Sequence, residues 1–167
     1  MITTERLHII PATPKDINHI IDIEHHPDNR NYIWQGTAQE HSSEINDPDH
    51  ELLLFKERQT DEIVGYCLNH INRTSEIFEL RRIAITRKGQ GYGREALTAI
   101  IKHAFDDLPT NRFWLDVYPD NLVGIKLYES MGFIKEGILR QNYKSARGYL
   151  DQIIYSILRT EYESLDL

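Results

Sequence analysis

Between Glu76 and Val117 the spacing of apolar residues changes period twice, and no other feature of the chain restricts its fold as much. EIFELRRIAI (76–85) has the β-branched and aromatic content of a strand. Beyond the glycine-rich turn at 87–93, apolar residues fall at Leu97, Ile100, Ile101, Ala104, Phe105 and Leu108. Those steps of three and four mark one buried helical face. RFWLDV (112–117) then returns to strand character. A strand, a tight turn, a helix and a second strand make a βαβ unit, so a parallel strand pair is expected inside the sheet.

The flanking segments read as simpler units. RLHIIPA forms a first strand, and PKDINHIIDIE an amphipathic helix with Pro14 near its start. AQEHSSEI reads as a short second helix. ELLLFKER and EIVGYCLNHI precede the βαβ unit as strands, NLVGIKLYESM follows it as a helix, and GFIKEGILRQ with YLDQIIYSIL closes the chain as a hairpin. The expectation is one α/β domain over residues 1–167, with a mixed, mostly antiparallel seven-stranded sheet and helices on both faces.

Composition excludes several classes of function. A formal charge of −7 without a basic stripe argues against nucleic-acid binding. No run of roughly 18 apolar residues is present, so no membrane helix is expected. The N-terminus lacks the basic start and apolar block of a secretion signal. Cys67 stands alone in the apolar run IVGYCL and reads as core, and a reducing, cytoplasmic setting fits. His19, His25, His26 and His41 lack the companion ligands and spacing of a known metal site, so no metal is expected. Ser42 and Ser43 form no recognisable nucleophile triad with these histidines.

The turn Lys88-Gly89-Gln90-Gly91-Tyr92-Gly93-Arg94 lies where a strand ends and a helix begins. A helix start leaves N–H groups unpaired and carries partial positive charge, which suits a phosphate, and glycine lets the backbone approach the anion. No Gly-Lys-Ser/Thr closes the turn, and the full G-x-G-x-x-G spacing is missing, so neither common nucleotide loop is present. A tight turn without ligand is the plainer alternative.

ELRRIAI–KGQGYG–REAL and the later WLDVYPDN–IKLYESMGF together resemble the GNAT superfamily of N-acetyltransferases, and the likeness runs from about Thr4 to Leu158. The second stretch and the tail LRQNYKSARGYLDQIIYSIL are most similar to the ribosomal-protein N-terminal acetyltransferases. The turn from Ile85 to Gly91, six residues, is shorter than is usual in the family, and Lys88 stands where Arg or Gln is customary.

The resemblance implies acetyl-CoA as acyl donor. The backbone of Ile83, Ala84 and Ile85 would pair with its pantetheine arm, Lys88 to Arg94 would hold the pyrophosphate, and Asn121 would bind by its amide while capping a helix. Tyr128 would be the general acid, giving a proton to the departing thiolate. Asn121 and Tyr128 are seven residues apart and share a helical face.

For the base, the resemblance offers Glu79, four residues before Ile83, and Asp116, twelve before Tyr128; a water relay is the third option. Strict alternation puts Glu79 on one strand face with Arg81, Ile83 and Ile85, unless a bulge intervenes. Tyr32, Trp34 and Tyr143 lie in segments that usually wall the acceptor pocket. The acceptor is a primary amine, either a protein N-terminus or a small amine. A non-catalytic acyl-CoA-binding module is the alternative from another class, and general nucleotide binding through the turn a further one. Dimers are frequent among similar enzymes, though no exposed apolar stripe in the sequence proves one here.

Overall fold

A computed structural model describes residues 1–165. The expected βαβ unit is present as β5 (Ile77–Ile85), α3 (Tyr92–Lys102) and β6 (Arg112–Val117), and β5 pairs with β6 in parallel. Leu97, Ile100, Ile101, Ala104 and Phe105 are all buried, as their spacing requires. The last turn of this helix, His103–Asp107, widens into a π-helical turn.

The sheet has eight strands, not seven. A two-residue strand, β1 (Ile2–Thr3), precedes β2 (Leu7–Pro11) and pairs with Ile9 and His8; two residues carry no period that a sequence reading can detect. β3 (His50–Glu57) and β4 (Ile63–Asn72) follow, and β7 (Ile134–Ser145) with β8 (Gly148–Leu158) forms the closing hairpin. The order is β1-β2-β3-β4-β5-β6-β8-β7, antiparallel everywhere except between β5 and β6.

Helices cover both faces. On one, α3 and α4 (Leu122–Ser130) pack over a core that includes Phe78, Leu80, Phe113 and Leu115. On the other, α1 (Ile17–His25) and α2 (Ala38–Asn46) cover a smaller core of Ile20, Ile23, Leu54, Tyr66, Leu68 and Ala84. Each fully buried Leu, Ile or Phe side chain contributes about 1.5–3 kcal/mol, so both layers are held mainly by apolar burial. A capping box starts α2: Glu40 N–H donates to Thr37 Oγ1 (3.2 Å) and Thr37 N–H to Glu40 Oε2 (2.7 Å). No helix among the described residues is long and apolar enough to cross a membrane.

Two irregularities of β5 shape what lies between these layers. Pairing with β6 stops at Leu80–Leu115, after which the strands part and leave a gap beside Ile83–Ile85. Against β4, Leu68 faces Arg82 but Asn69 faces Leu80, so Arg81 is an extra residue in the ladder. The bulge reverses the strand's phase. Phe78 and Leu80 point toward α3 and α4 before it, and Ile83 and Ile85 do so after it. Strict alternation therefore misplaces Glu79, which shares its face with Arg82 and Ala84 rather than with Ile83 and Ile85.

Candidate active site

The gap between β5 and β6 opens into a groove of about 630 Å³. Thr86 N–H donates to Val64 O (2.9 Å), so the alternation of an antiparallel ladder turns the N–H and C=O of Ile83 and Ile85 away from β4 and into the gap. Ala84 lines the same groove from its buried position. At the far end Gly91 begins α3 with φ +83°, a conformation that favours glycine. Glu95 N–H donates to Gly91 O (3.1 Å), leaving the amides before it without a partner in the first turn of the helix. Gly93 lines the floor, where an added Cβ would make ordinary contact with Ile85 Cγ1 (3.6 Å) and Leu127 Cδ2 (3.8 Å).

The turn residues divide into two groups. Lys88, Gly89, Gly91, Tyr92 and Gly93 line the groove, whereas Gln90 and Arg94 do not. The Gln90 carbonyl accepts from Arg6 Nη1 (2.9 Å), and Arg94 Nη2 donates to Ser130 Oγ (2.5 Å), tying α3 to α4. The Tyr92 ring is buried beneath the Arg6 guanidinium, 4.5 Å from its centroid, and its hydroxyl donates to Glu57. Lys88 Nζ donates to the Asp28 carbonyl (2.8 Å), and burial pushes its pKa down against the opposing pull of Asp28. Arg87, which the sequence reading passed over, also lines the groove.

A second cavity of about 400 Å³ joins the first. Tyr128, Asn121, Ile83, Tyr32 and Ile33 line both, so they form the junction. Asn121 caps α4, its Oδ1 accepting from Gly124 N–H (3.0 Å), which leaves its amide nitrogen available to a ligand. Both carboxylates singled out in the sequence, Glu79 and Asp116, line the second cavity. Phe113, Leu115 and Val117 take the core-facing positions of β6, which puts Asp116 on the opposite face.

Burial sets the electrostatics here. It raises Asp116 to about 6, helped by the nearby Glu79 charge and opposed by a hydrogen bond from Gln152 Nε2 (2.7 Å). Burial first and the Asp116 charge second raise the Tyr128 phenol well above its ordinary value. Glu79 Oε2 accepts from Arg81 Nε (3.0 Å) and lies 3.4 Å from His70 Nδ1.

Trp34 and Tyr143 meet in the wall, with ring centroids 5.1 Å apart, and Tyr143 stacks on Tyr118 at 5.5 Å. Tyr32 stands beside them. The sequence reading missed Tyr118, Gln152, Glu40, Glu44, Arg81 and Arg82, all of which line this cavity. Tyr118 was within reach, because it follows WLDV directly; the others come together only through the tertiary fold. Among the described residues, no group of three or more His, Cys, Asp or Glu side chains is arranged to hold a metal ion.

Residues 6–134 match the acetyltransferase (GNAT) domain family. The chain belongs to that family. The N-acetyltransferase p20 of Bacillus licheniformis is 37% identical over 111 residues, which cover 63% of this chain and 60% of that protein. The ribosomal protein bS18 alanine N-acetyltransferase of Salmonella typhimurium is 37% identical over 71 residues, 41% of this chain and 45% of the relative. The match to these curated relatives thus spans about 60% of their length or less. In fold, the chain superposes on a variant of the spermidine N-acetyltransferase of Vibrio cholerae with a TM-score of 0.81 at 22% identity, covering 95% of this chain and 97% of the other.

Proposed function

We propose that this GNAT domain transfers the acetyl group of acetyl-CoA to a primary amine. One observation carries the reading: the two cavities meet at Tyr128, with Glu79 and Asp116 just beyond it on the acceptor side. The groove suits the donor. It offers unpaired amides and positive φ at Gly91 for a pyrophosphate, an open backbone edge at Ile83 and Ile85 for the pantetheine amides, and the Asn121 amide between them. Lys88, freed from Asp28, would add charge to the anion site.

The chemistry follows from three side chains at the acceptor side of the junction. An ammonium group must lose a proton before it attacks. Asp116, raised to about 6, holds such a proton better than an ordinary aspartate while remaining largely ionised at neutral pH. Glu79 adds negative charge that draws the cation in, as do the faces of Trp34 and Tyr143. The amine lone pair forms the new C–N bond, the C–S bond breaks, and Tyr128 supplies a proton to the departing thiolate. Tyr128 is then reprotonated from the acceptor side, so the net reaction releases CoA thiol and the acetylated amine.

The acceptor is a protein N-terminal amine or a small amine, as in the two kinds of relative whose names specify bS18 alanine and spermidine. An α-amine, with pKa near about 8, needs less help from a base than an alkyl amine near about 10.4. The test is release of free CoA thiol from acetyl-CoA across short peptides, spermidine, free amino acids and an aminoglycoside. Turnover with an amine, lost in Tyr128→Phe, supports the reading. Saturable acetyl-CoA binding with no turnover on any of them would leave either an acceptor outside the panel or an acyl-CoA-binding module.

A further inference from the structure

Beneath the acceptor cavity lies a closed ring of charged side chains that no step above employs. Glu24, from the end of α1, and His41, from α2, have no solvent exposure at all. Glu24 Oε2 accepts from the Gly36 amide (2.7 Å) and lies 3.3 Å from His41 Nε2. His41 Nδ1 is 2.8 Å from Glu44 Oε2, and Glu44 Oε1 is 3.1 Å from Arg82 Nη2. Arg82 Nη1 returns to Glu24 Oε1 at 3.7 Å, and the Tyr66 hydroxyl donates to that same oxygen (2.5 Å). Two anions and two cations thus alternate in a circuit joining α1, α2 and β5.

Such a ring is not the only way to fill this part of the core, although removing one member alone destabilises it by leaving its partners unpaired. Apolar residues of similar volume commonly stabilise a core as well as buried ion pairs do, because desolvation offsets the attraction. What apolar residues cannot do is hold a backbone amide at a fixed point, and this ring does so at Gly36. Gly36 ends the segment 27–36, which carries Tyr32 and Trp34. It is pressed against the ring so closely that an added Cβ would come 2.7 Å from His41 Nε2 and 3.1 Å from Arg82 Nη1. Arg82 and Glu44 meanwhile reach the cavity lining from below.

We infer that Glu24 and His41 are positioning residues for the acceptor. By fixing Gly36, they set the distance between the Tyr32–Trp34 wall and the Glu79–Asp116 floor, and so select which amine fits. This rests on the amine-acetylating reading of the site. The ring holds the acceptor end of segment 27–36, whereas residues 27–29 and 31–33 of the same segment line the donor groove together with β5, the Gly91 turn and α4.

The experiment compares Glu24→Gln, His41→Gln and Gly36→Ala with the unaltered protein, using the amine that turns over fastest. The amine KM should rise about tenfold or more in each, the scale of one lost charge-assisted hydrogen bond, while the acetyl-CoA Kd by calorimetry moves by a smaller factor than the amine KM. The order of preference among amines should also change. Amide exchange by mass spectrometry gives a readout independent of turnover: residues 27–37 should exchange faster in the variants, with β3 and β4 unaltered. Thermal stability should fall in the two ring variants on either account, since each leaves a buried charge unpaired; a purely structural role would lower kcat, leave the amine KM in place and raise exchange throughout the sheet, and that result overturns the inference. If the unaltered protein acetylates no amine, the catalytic reading fails instead, and with it the inference built on it, whatever the exchange data show for the anchor.

Discussion

Raising the pH should withdraw a measurable part of the fold's stability by deprotonating His41. Burial alone would push this imidazole down, but the hydrogen bonds to Glu24 and Glu44 outweigh it and raise the group from 6.5 to about 9. A folded-state pKa above the unfolded one means that the folded chain holds the proton more tightly. The stabilisation is therefore complete below about pH 6.5 and is lost as pH rises to about 9. At about 1.4 kcal/mol per pH unit, the interval is worth about 3 kcal/mol. Other groups also titrate in this range, so the quantity to measure is a difference. Urea unfolding of the wild type and of His41→Gln, at about pH 6 and about pH 9.5, gives two stability gaps. The gap should shrink by about 3 kcal/mol at the higher pH. Equal gaps at both would show that folding does not raise the pKa of His41, and the charge balance argued for the ring would be wrong.

Three further outcomes are expected. Tyr128→Phe should lower kcat by about 10²-fold or more, the ordinary contribution of a general acid, with acetyl-CoA affinity unchanged by calorimetry; a weakened affinity instead would mean that the hydroxyl binds the donor rather than serving as acid. If Asp116 is the base, kcat/KM should fall as pH drops through about 6, and this limb should vanish in Asp116→Asn; a wild-type profile flat through that range would return the role to Glu79 or to water. Gly91→Ala forces a side chain into φ +83° and brings its Cβ within 3.2 Å of Arg6 Nη2. Denaturant unfolding should show a loss of about 1–2 kcal/mol, and acetyl-CoA should bind more weakly.

What the sequence made legible was whatever a short window encodes. The helix from Tyr92 announces itself by Leu97, Ile100 and Ile101, and the groove by two glycines at its N-terminus. Tyr128, Glu79 and Asp116 were each singled out, and all three line one cavity. The face of Glu79 was not legible, because a one-residue bulge at Arg81 depends on how β4 takes up the extra residue, not on any property of the arginine itself. His41 looked like one more histidine on the polar helix AQEHSSEI. Its partner Glu24 lies 17 residues away in sequence and Arg82, which closes the ring through Glu24 and Glu44, 41 residues away, and nothing local distinguishes a buried ring from a solvated helix face. A separation of 36 residues likewise hid Gln152, whose neighbour Asp116 belongs to the strand beside it.

The parting of β5 from β6 also gives the molecule a sheet edge in its interior. The outermost strand at one side, Ile2–Thr3, is too short to recruit another chain, a common protection against aggregation. The gap-facing N–H and C=O groups of Ile83 and Ile85 have no such safeguard of length. They are screened by α4 on one side and by residues Asn29–Ile33 on the other. A variant that loosens that segment would uncover an extended, apolar strand able to pair with its counterpart in a second molecule. Loss of solubility without loss of the core would then be the first symptom, and a donor molecule lying along the same edge would suppress it.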